Sequence, residues 1–484
     1  MGSTVVHRRA GGFAVLVMLF LPGVGLAQLV PVKTEDAILT AADPGYGKNL
    51  GHSVALSGDT ILVGSPDDDP GGVLSGSAWV FVRTGPGWRR QAKLIAPDAS
   101  VNDRLGIAVD IVDETAVIGA PGDADAGPNS GSVYVFVRHG AEWSMQAKLT
   151  APDAAVADGF GRAVAISDDT VLVGSPGDDV GGSATGSAYV FARHGTSWSF
   201  QDKLTAAGAT MGDNFGHSVA LERSTAVVGS RRDNAPDNDS LARVFVRDEA
   251  EWSQQAELPT GPVAFLAPET SVSISGETVV VGSPQGYAPF AVAGAALVFV
   301  RHGVTWSLQA KLNASDFESG GQFGASVSID GNELVVGAPL TDSAAVNAGS
   351  AYRFIRNGTH WIEREKLLSS DLAFQDHFGQ SVALSASTLA VGAPNAGTDN
   401  PFEGAAYVFS SDKRGHPTEA CARDRWPGTP GRDQGHVDQW LAKTWHWLCA
   451  IPEAVPEQGR NVRRVRARST ASRSTRADRS RLVR

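Results

Sequence analysis

The chain has 484 residues and a formal net charge of −11, with 42% hydrophobic and 19% charged residues. This balance supports a packed core and argues against global disorder. The charge is uneven, because residues 412–484 hold 16 Lys and Arg against 8 Asp and Glu, which leaves the preceding body acidic. An acidic body argues against nucleic-acid binding, since contacts to phosphates need lysine and arginine.

Residues 1–27 have the pattern of an export signal. His7, Arg8 and Arg9 give a positive start, an apolar run covers Phe13–Leu21, and small residues precede Gln28. The run is too short for a stable membrane-spanning helix, and an uncleaved membrane anchor is the alternative interpretation. We expect no transmembrane helix in the mature chain and a location in the periplasm, at the cell surface or in the medium.

A steady repeat dominates the acidic body. The proline at the end of the second apolar segment, or its substitute, recurs at intervals of 55, 55, 55, 53, 55 and 55 residues. Its seven positions are Pro66, Pro121, Pro176, Arg231, Pro284, Pro339 and Pro394. Seven copies at this period indicate a repeat architecture rather than a string of unrelated domains.

Each copy contains four segments that read as strands. They are β-branched, they alternate, and they are bounded by Gly, Pro, Asp and Ser, as in RAVAI, TVLVGSP, GSAYVF and the stretch Trp143–Leu149. Short polar turns such as Ser167-Asp168-Asp169 join neighbouring antiparallel strands. One copy is therefore predicted to be a four-stranded antiparallel meander.

Seven such meanders predict an all-β fold, a seven-bladed β-propeller over residues 28–411, since ring closure removes exposed sheet edges. The seventh copy has no fourth strand after Gly404–Phe409, whereas Ala37–Asp43 matches Ala147–Asp153 and precedes the first copy. We expect this N-terminal strand to complete the last blade and close the ring. Small residues in the first strand predict that it lies nearest the axis, with aromatic residues toward the rim.

Phe-Gly, a strand, Val-Gly-Ala-Pro and then Gly-Ser-Ala-Tyr-Val-Phe resemble the FG-GAP repeat of integrin α-subunit propellers, and more closely the repeats of bacterial FG-GAP proteins. The resemblance covers residues 37–411 in register. Copies four and five depart from it, with Arg231 in place of proline and Glu269-Thr270 in place of Phe-Gly. The resemblance implies an extracellular or cell-surface propeller that binds partners.

The acidic loops make calcium the cofactor to consider. Integrin propellers hold it in an expanded turn between the first two strands, but here that turn is as short as Ser385-Ala386-Ser387-Thr388 and cannot wrap an ion. Candidate calcium ligands follow the second strand, without the spacing of a calcium loop: Asp67, Asp68, Asp69, Asp123, Asp125, Asp178 and Asp179. Because aspartate is a common turn former, we expect solvated turns and no cofactor.

The residue after the first-strand glycine varies among copies, and an axial first strand would place it at one mouth of the channel. Variation on a fixed frame favours ligand binding, with ordinary loop variation as the alternative. The ligand-binding candidates are His52, Arg162, His217 and Gln380. Asp110 stands where other copies have Ala or Ser, and we expect it to face channel water without a catalytic role. No nucleophile elbow, HExxH, CxxC or phosphate loop occurs, so no catalytic residue is assigned.

Residues 412–484 have a different composition, with 14 arginines, four tryptophans and both cysteines. The arginine-rich end is low in apolar residues, which predicts disorder. A basic arm that contacts anionic lipid, polysaccharide or the acidic propeller is one interpretation. A frame-shifted extension is the other.

These features predict an exported, monomeric, non-enzymatic propeller that acts as an adhesion or protein-interaction scaffold and binds a protein or polysaccharide ligand across loops on one face. The alternative is a carbohydrate-active hydrolase or lyase with carboxylates in the channel. Two convergent carboxylates at glycosidase separation would favour the enzyme, whereas a lining of Ser, Ala and Val would favour the scaffold. A structural cell-surface or matrix component is a third hypothesis.

Overall fold

The computed structural model describes residues 30–410 except 44, 181, 232–238, 250, 263–269, 285–286, 289–290, 317 and 398–401. The regular elements in this part of the chain are all strands, and no helix there is long and apolar enough to cross a membrane. The predicted export signal and the basic tail lie outside the described residues.

Thirty-one strands follow one another along the described residues. They are β1 Val32–Lys33, β2 Ala37–Leu39, β3 Val54–Ser57, β4 Thr60–Ser65, β5 Ser77–Thr84, β6 Gly87–Leu94, β7 Ala108–Val112, β8 Thr115–Ala120, β9 Ser132–His139, β10 Glu142–Leu149, β11 Ala163–Ser167, β12 Thr170–Ser175, β13 Ser187–His194, β14 Ser197–Leu204, β15 Ser218–Glu222, β16 Thr225–Gly229, β17 Asp239–Asp248, β18 Glu251–Pro262, β19 Ser271–Ser275, β20 Thr278–Ser283, β21 Tyr287–Ala288, β22 Ala291–Val292, β23 Ala295–His302, β24 Thr305–Leu312, β25 Ser326–Asp330, β26 Glu333–Ala338, β27 Ser350–Asn357, β28 His360–Leu367, β29 Ser381–Ser385, β30 Thr388–Ala393 and β31 Ala405–Ser410.

These strands form seven antiparallel meanders, which are the blades of a propeller. Blades one to four are β3–β6, β7–β10, β11–β14 and β15–β18. Blade five is β19-β20-β23-β24, with the small hairpin β21–β22 between its second and third strands, and blade six is β25–β28. Blade seven is β29-β30-β31 with β2 as its outer strand, which confirms the predicted seven-bladed ring.

The N-terminal strand closes the ring as predicted. In β2, Ala37 pairs with Val408 and Leu39 pairs with Ala406, antiparallel to β31. The innermost strands touch their neighbours all the way round, and β29 of blade seven contacts β3 of blade one. Strand β1, which no pattern in the sequence predicted, adds a fifth, parallel strand to blade six beside β28.

The hydrophobic core lies between adjacent blades. The second strand of each blade has neighbours on both faces, so a stretch such as TVLVGS in β12 is buried at every position. One core cluster joins Leu62 and Val80 of blade one to Ile111, Ile118 and Tyr134 of blade two. Apolar side chains from both blades fill each such space, so each blade depends on its neighbours for burial.

A glycine before each standard first strand permits the close approach of two blades. Gly51 has φ of +89°, and a Cβ on it would lie 2.2 Å from the carbonyl oxygen of Ala405 in blade seven. Gly106 has φ of +96°, and its Cβ would lie 2.3 Å from the carbonyl oxygen of Ser77. Because both the backbone angle and the space exclude a side chain, glycine is required there.

An arginine–threonine and a tryptophan–glutamine hydrogen bond, together called the polar clasp, join most neighbouring blades near the rim. Between blades two and three, Arg193 NH1 donates to Thr115 Oγ1 at 2.9 Å, and Trp198 Nε1 donates to Gln146 Oε1 at 2.8 Å. The Arg193 guanidinium also lies 5.2 Å from the centre of the Trp198 ring. The arginine–threonine bonds at the other seams that have one are Arg83–Thr388, Arg138–Thr60, Arg247–Thr170, Arg301–Thr225 and Arg356–Thr278.

The seam between blades six and seven is held differently. Glu333 replaces the threonine of the clasp and pairs with Arg353 of its own blade at 3.0 Å. The N-terminal segment bridges the two blades instead, because β1 pairs with β28 of blade six while Lys33 Nζ donates to the Ser410 carbonyl of blade seven. Glu35 adds a bond from the Ser370 amide at 2.9 Å.

Candidate functional site

The two faces of the ring differ in their connections. First and third strands begin at one face, and second and fourth strands end there, so the long connections such as 66–76 and 95–107 lie on that side. We call it the loop face. The opposite side carries tight turns such as 168–169 between β11 and β12, and we call it the turn face.

A cavity of about 350 Å³ lies on the axis and is lined by the innermost strands of all seven blades. This confirms that the small-residue first strand is axial. The residues that face one another at one level of the cavity are Ala55, Asp110, Ala165, Ala220, Ser273, Ser328 and Ala383. Aliphatic residues such as Val164 and Ile166 alternate with them, so most of the lining carries no reactive group.

Asp110 is the one ionisable side chain among the residues that line this cavity. Its Oδ1 accepts a hydrogen bond from the Ile111 amide and its Oδ2 accepts one from the Ile166 amide of the next blade, both at 2.8 Å. Ser328, the equivalent residue of blade six, likewise accepts a hydrogen bond from the Leu384 amide of blade seven at 3.0 Å. Burial raises the pKa of Asp110 to about 6, against the lowering effect of the two amides. Asp110 therefore links two blades.

The four predicted ligand-binding residues lie around the loop-face mouth of the channel. Arg162, His217 and Gln380 immediately precede β11, β15 and β29, and His52 lies two residues before β3. All four are half-buried, and none of them is among the residues that line the cavity. The structure places them in tight turns, in which the backbone amide bonds to the carbonyl three residues earlier.

Lysine ammonium groups lie among the predicted calcium-binding carboxylates. Lys148 Nζ lies 2.8 Å from Asp98 Oδ2, 2.9 Å from Asp123 Oδ2 and 2.6 Å from Asp125 Oδ2. In the described residues, these three carboxylates are the group whose oxygens are close enough to share a metal ion. Burial alone would lower the pKa of Lys148, but its hydrogen bonds to the three aspartates raise it above its usual value. The ammonium occupies the position that a cation would take.

Two other lysines repeat this arrangement. Lys93 lies 2.7 Å from both Asp43 and Asp68, and Lys203 lies 2.7 Å from Asp153 and also 2.7 Å from Asp178. The remaining candidates bond to loop atoms: Asp67 accepts from the Asn49 side chain, Asp69 from the Leu74 amide, and Asp179 from the Ala184 amide. The sequence signal for these partners is the lysine of QAKL, which recurs one residue before the end of the fourth strand.

A ring of exposed apolar side chains, not predicted from the sequence, lies on the loop face. Each lies four residues before the Phe or Leu that precedes the first-strand glycine, and each is between 59 and 75% exposed. This apolar loop ring consists of Tyr46, Val101, Val156, Met211 and Phe374. Tyr46 packs edge-on against Phe402 of blade seven, with ring centres 5.9 Å apart. The sequence signal for this ring is a single apolar residue that recurs at one position of the polar loops.

The repeats match a known protein family. Six segments match the family model described as the FG-GAP repeat, and together they cover more than half of the chain: 34–81, 88–136, 143–191, 198–246, 306–354 and 361–409. The intervening stretch 247–305 includes most of blade five, whose sequence departs from the pattern. A search of curated proteins gave no match.

Proposed function

The chain belongs to the FG-GAP repeat family, and from that premise we propose that it is an exported, non-enzymatic scaffold that binds a protein partner across its loop face. The observation that carries this proposal is the apolar loop ring. Five large side chains, each on a different blade, expose 59 to 75% of their surface on one face. Because these apolar side chains recur at one position around a single face, they can contact one protein partner together.

The charges around the apolar loop ring indicate what kind of partner surface fits this face. Exposed carboxylates on the loops of this face outnumber the lysines that pair with four of them, which are Asp43, Asp98, Asp125 and Asp153. Further exposed carboxylates on these loops are Asp69, Asp179, Asp342 and Asp371. A partner that fits this surface has an apolar centre with lysine and arginine around it, because opposite charges at the rim speed association and select among partners.

The loops that carry the ring are held in place before any partner binds. The Asn102 amide donates to the Val73 carbonyl, and the Leu105 amide donates to the Ser75 carbonyl, both at 3.0 Å and across two blades. Asp103 Oδ2 accepts from the Ser100 amide at 2.5 Å within the same loop. A preorganised surface loses little conformational entropy on binding, which suits a scaffold.

Export and adhesion complete the proposal. The positive start, short apolar run and small residues of 1–27 support export. The resemblance of the repeats to those of integrin α-subunits supports adhesion at the cell surface. The protein would then act as a monomer outside the cytoplasm and present one face to its partner.

The decisive experiment compares partner capture by two matched variants. The first changes Val101, Val156 and Met211 to serine, and the second makes the same change at Phe200, Val304 and Leu308, which are 44, 75 and 53% exposed outside the loop face. Each is immobilised and incubated with an envelope extract, and bound proteins are quantified by mass spectrometry. A partner retained by wild type and the second variant but lost with the first supports the proposal. Equal capture by both variants contradicts it.

Asp110 is the residue on which the hydrolase or lyase alternative depends. A glycosidase pair needs a second carboxylate about 5 to 10 Å away, and the other residues lining the cavity are Val, Ala, Leu, Ile and Ser. Release of reducing ends from a polysaccharide panel, abolished by Asp110→Asn, would favour the enzyme over the scaffold.

A further inference from the structure

The groove between blades seven and one differs from the other inter-blade grooves. Most outer strands have eight residues, as in β6 and β10, but β2 has three. Beside β2 a cavity of about 450 Å³ opens against blade one, lined by residues 38–40 and by Phe81, Trp88, Arg89 and Arg90. We call this cavity the seam groove.

Trp88 lacks the bond that its equivalents make. In blade two, Trp143 Nε1 donates to Gln91 Oε1 of the preceding blade at 2.9 Å, and four further seams have the same bond. The glutamine position before blade one is Asp36, whose Oδ2 instead accepts from the Ser410 amide. Among the described residues, Trp88 Nε1 makes no hydrogen bond. Its N–H is therefore available to a ligand in the groove.

Arg90 lies at a position that is not basic in the neighbouring copies. The equivalent residues are Met145, Phe200 and Leu308 in blades two, three and five, Gln254 in blade four and Glu363 in blade six. Arg90 is exposed, and its contact with the groove wall is a long 3.5 Å bond from NH1 to the Thr40 carbonyl. Arg89 is also exposed and makes no hydrogen bond or ion pair with a described residue. Two guanidinium groups thus lie at one groove of a propeller whose net charge is negative.

We propose that the seam groove binds a uronic-acid residue of an anionic polysaccharide. A guanidinium group binds a carboxylate with two parallel hydrogen bonds. The exposed part of the Trp88 indole offers apolar surface to the C–H face of a pyranose ring, and its N–H can donate to a hydroxyl. A cavity of this volume is within the range of small-ligand sites. The site is on the rim of the ring, so it is independent of partner binding on the loop face.

The groove fits a sugar better than an extended peptide. A peptide that binds by strand addition needs a free edge for main-chain hydrogen bonds, and β2 offers only three residues. The guanidinium, indole and aliphatic groups instead surround a short space closed on the β2 side by Leu39 and Thr40. An acidic peptide is therefore the competing ligand in the test.

The test measures binding of digalacturonate to the full chain by isothermal titration calorimetry, with the neutral disaccharide galactobiose beside it. We expect saturable binding of digalacturonate and at least about tenfold weaker binding of galactobiose, since a charge-assisted pair contributes that much or more. Arg90→Met introduces the residue that blade two already has and should lower the affinity about tenfold. Trp88→Phe keeps a ring, removes the N–H and should lower it several-fold.

Trp143→Phe is the matched control, because it makes the same change at a groove that a full outer strand fills. It should bind digalacturonate like the wild type. Absence of saturable binding, or equal affinity of wild type and Arg90→Met, overturns the proposal. Tighter, Arg90-dependent binding of a tetraglutamate peptide overturns the assignment to a sugar.

Discussion

Arg83 NH2 lies 2.6 Å from the hydroxyl oxygen of Thr388, a residue 305 positions later in the chain. The two residues belong to blades one and seven, so this bond crosses the point where the ring closes. The same bond joins Arg193 to Thr115 between blades two and three. The closing seam therefore reproduces a contact of an internal seam.

A double-mutant cycle tests this equivalence. Arg83→Met and Thr388→Val should show a coupling energy of about 1 kcal/mol in the free energy of unfolding, as expected for one hydrogen bond to a charged donor that is partly exposed. The cycle of Arg193→Met and Thr115→Val should give the same value in urea titrations. Coupling at the internal seam without coupling at Arg83 would mean that the ring does not close in solution.

Two neighbouring residues of β2 test its position in blade seven. Leu39 is 3% exposed and Ile38 is 39% exposed. Leu39→Ala should lower the free energy of unfolding by about 2 to 4 kcal/mol because it leaves a cavity in the core, whereas Ile38→Ala should lower it by less than about 1 kcal/mol. Urea unfolding gives both values. Equal small effects would show that β2 does not pack against β31.

Gly51 should tolerate no side chain. Gly51→Ala meets both a φ of +89° and a carbonyl oxygen 2.2 Å from the new Cβ, so we expect a loss of more than about 3 kcal/mol in stability. Gly58→Ala is the control, because Gly58 has a φ of +54° and nothing within 4 Å of its Cβ. It should lose about 1 kcal/mol. Similar melting temperatures for the two variants would contradict the close approach of blades one and seven.

Lys148→Met should destabilise blade two. It leaves Asp98, Asp123 and Asp125 close together without a countercharge, and Asp123 is almost fully buried. We expect the free energy of unfolding to fall by about 2 kcal/mol. The control Lys366→Met should lower it by less, since Lys366 has a single ion pair with the half-exposed Asp316.

Calcium provides a second readout of the same variant. Millimolar calcium should raise the melting temperature of Lys148→Met, because the three carboxylates can then hold the ion. The wild type should not respond through this cluster, since its ammonium group occupies the place. A calcium-induced rise in the wild type that Lys148→Met abolishes would show that the lysine is not the resident cation.

Asp110 should make stability depend on pH between about 4 and 6. Its pKa is raised from 3.8 to about 6 by burial, so the folded chain holds a proton there that the unfolded chain has already lost. The stabilisation by the protonated form is present below about pH 4 and is lost as the pH rises to about 6. Across this range, the free energy of unfolding of the wild type should therefore fall by up to about 3 kcal/mol relative to that of Asp110→Ala.

Urea titrations of wild type and Asp110→Ala at several pH values measure this difference, because the other carboxylates contribute equally to both proteins. Alanine already occupies the same level of the cavity at Ala55 and Ala165, so the variant should fold. A difference that does not change with pH would show that Asp110 titrates as an ordinary surface carboxyl.

The period of the sequence was enough to predict the blades and their closure. Every strand of a blade has its own residue pattern, and a meander repeated seven times has few ways to bury both faces of its sheets. The period could not predict β1 or the β21–β22 hairpin. Val32–Lys33 pairs with blade six through backbone atoms, which any sequence provides, and the hairpin lies in the copy that departs most from the repeat.

Less of the candidate site could be predicted. The aspartates were visible as clusters, but their partners Lys93, Lys148 and Lys203 lie 25 residues further along the chain and meet them only in the folded blade. The apolar loop ring requires knowledge of which loop residues are exposed. The seam groove exists because β2 is short. The length of β2 in turn depends on where the chain, after pairing with blade six through β1, joins blade seven.

The outer strand of blade seven has a consequence for how the chain folds. Residues 37–39 leave the ribosome before any blade exists, yet their partner strand β31 ends at Ser410 and is made after the other blades. The seventh sheet therefore cannot be completed during synthesis of the others, and its formation requires closure of a loop of more than 360 residues. Until then the edge of β31 is open to other strands, and β2 of a neighbouring copy carries the same pairing sequence.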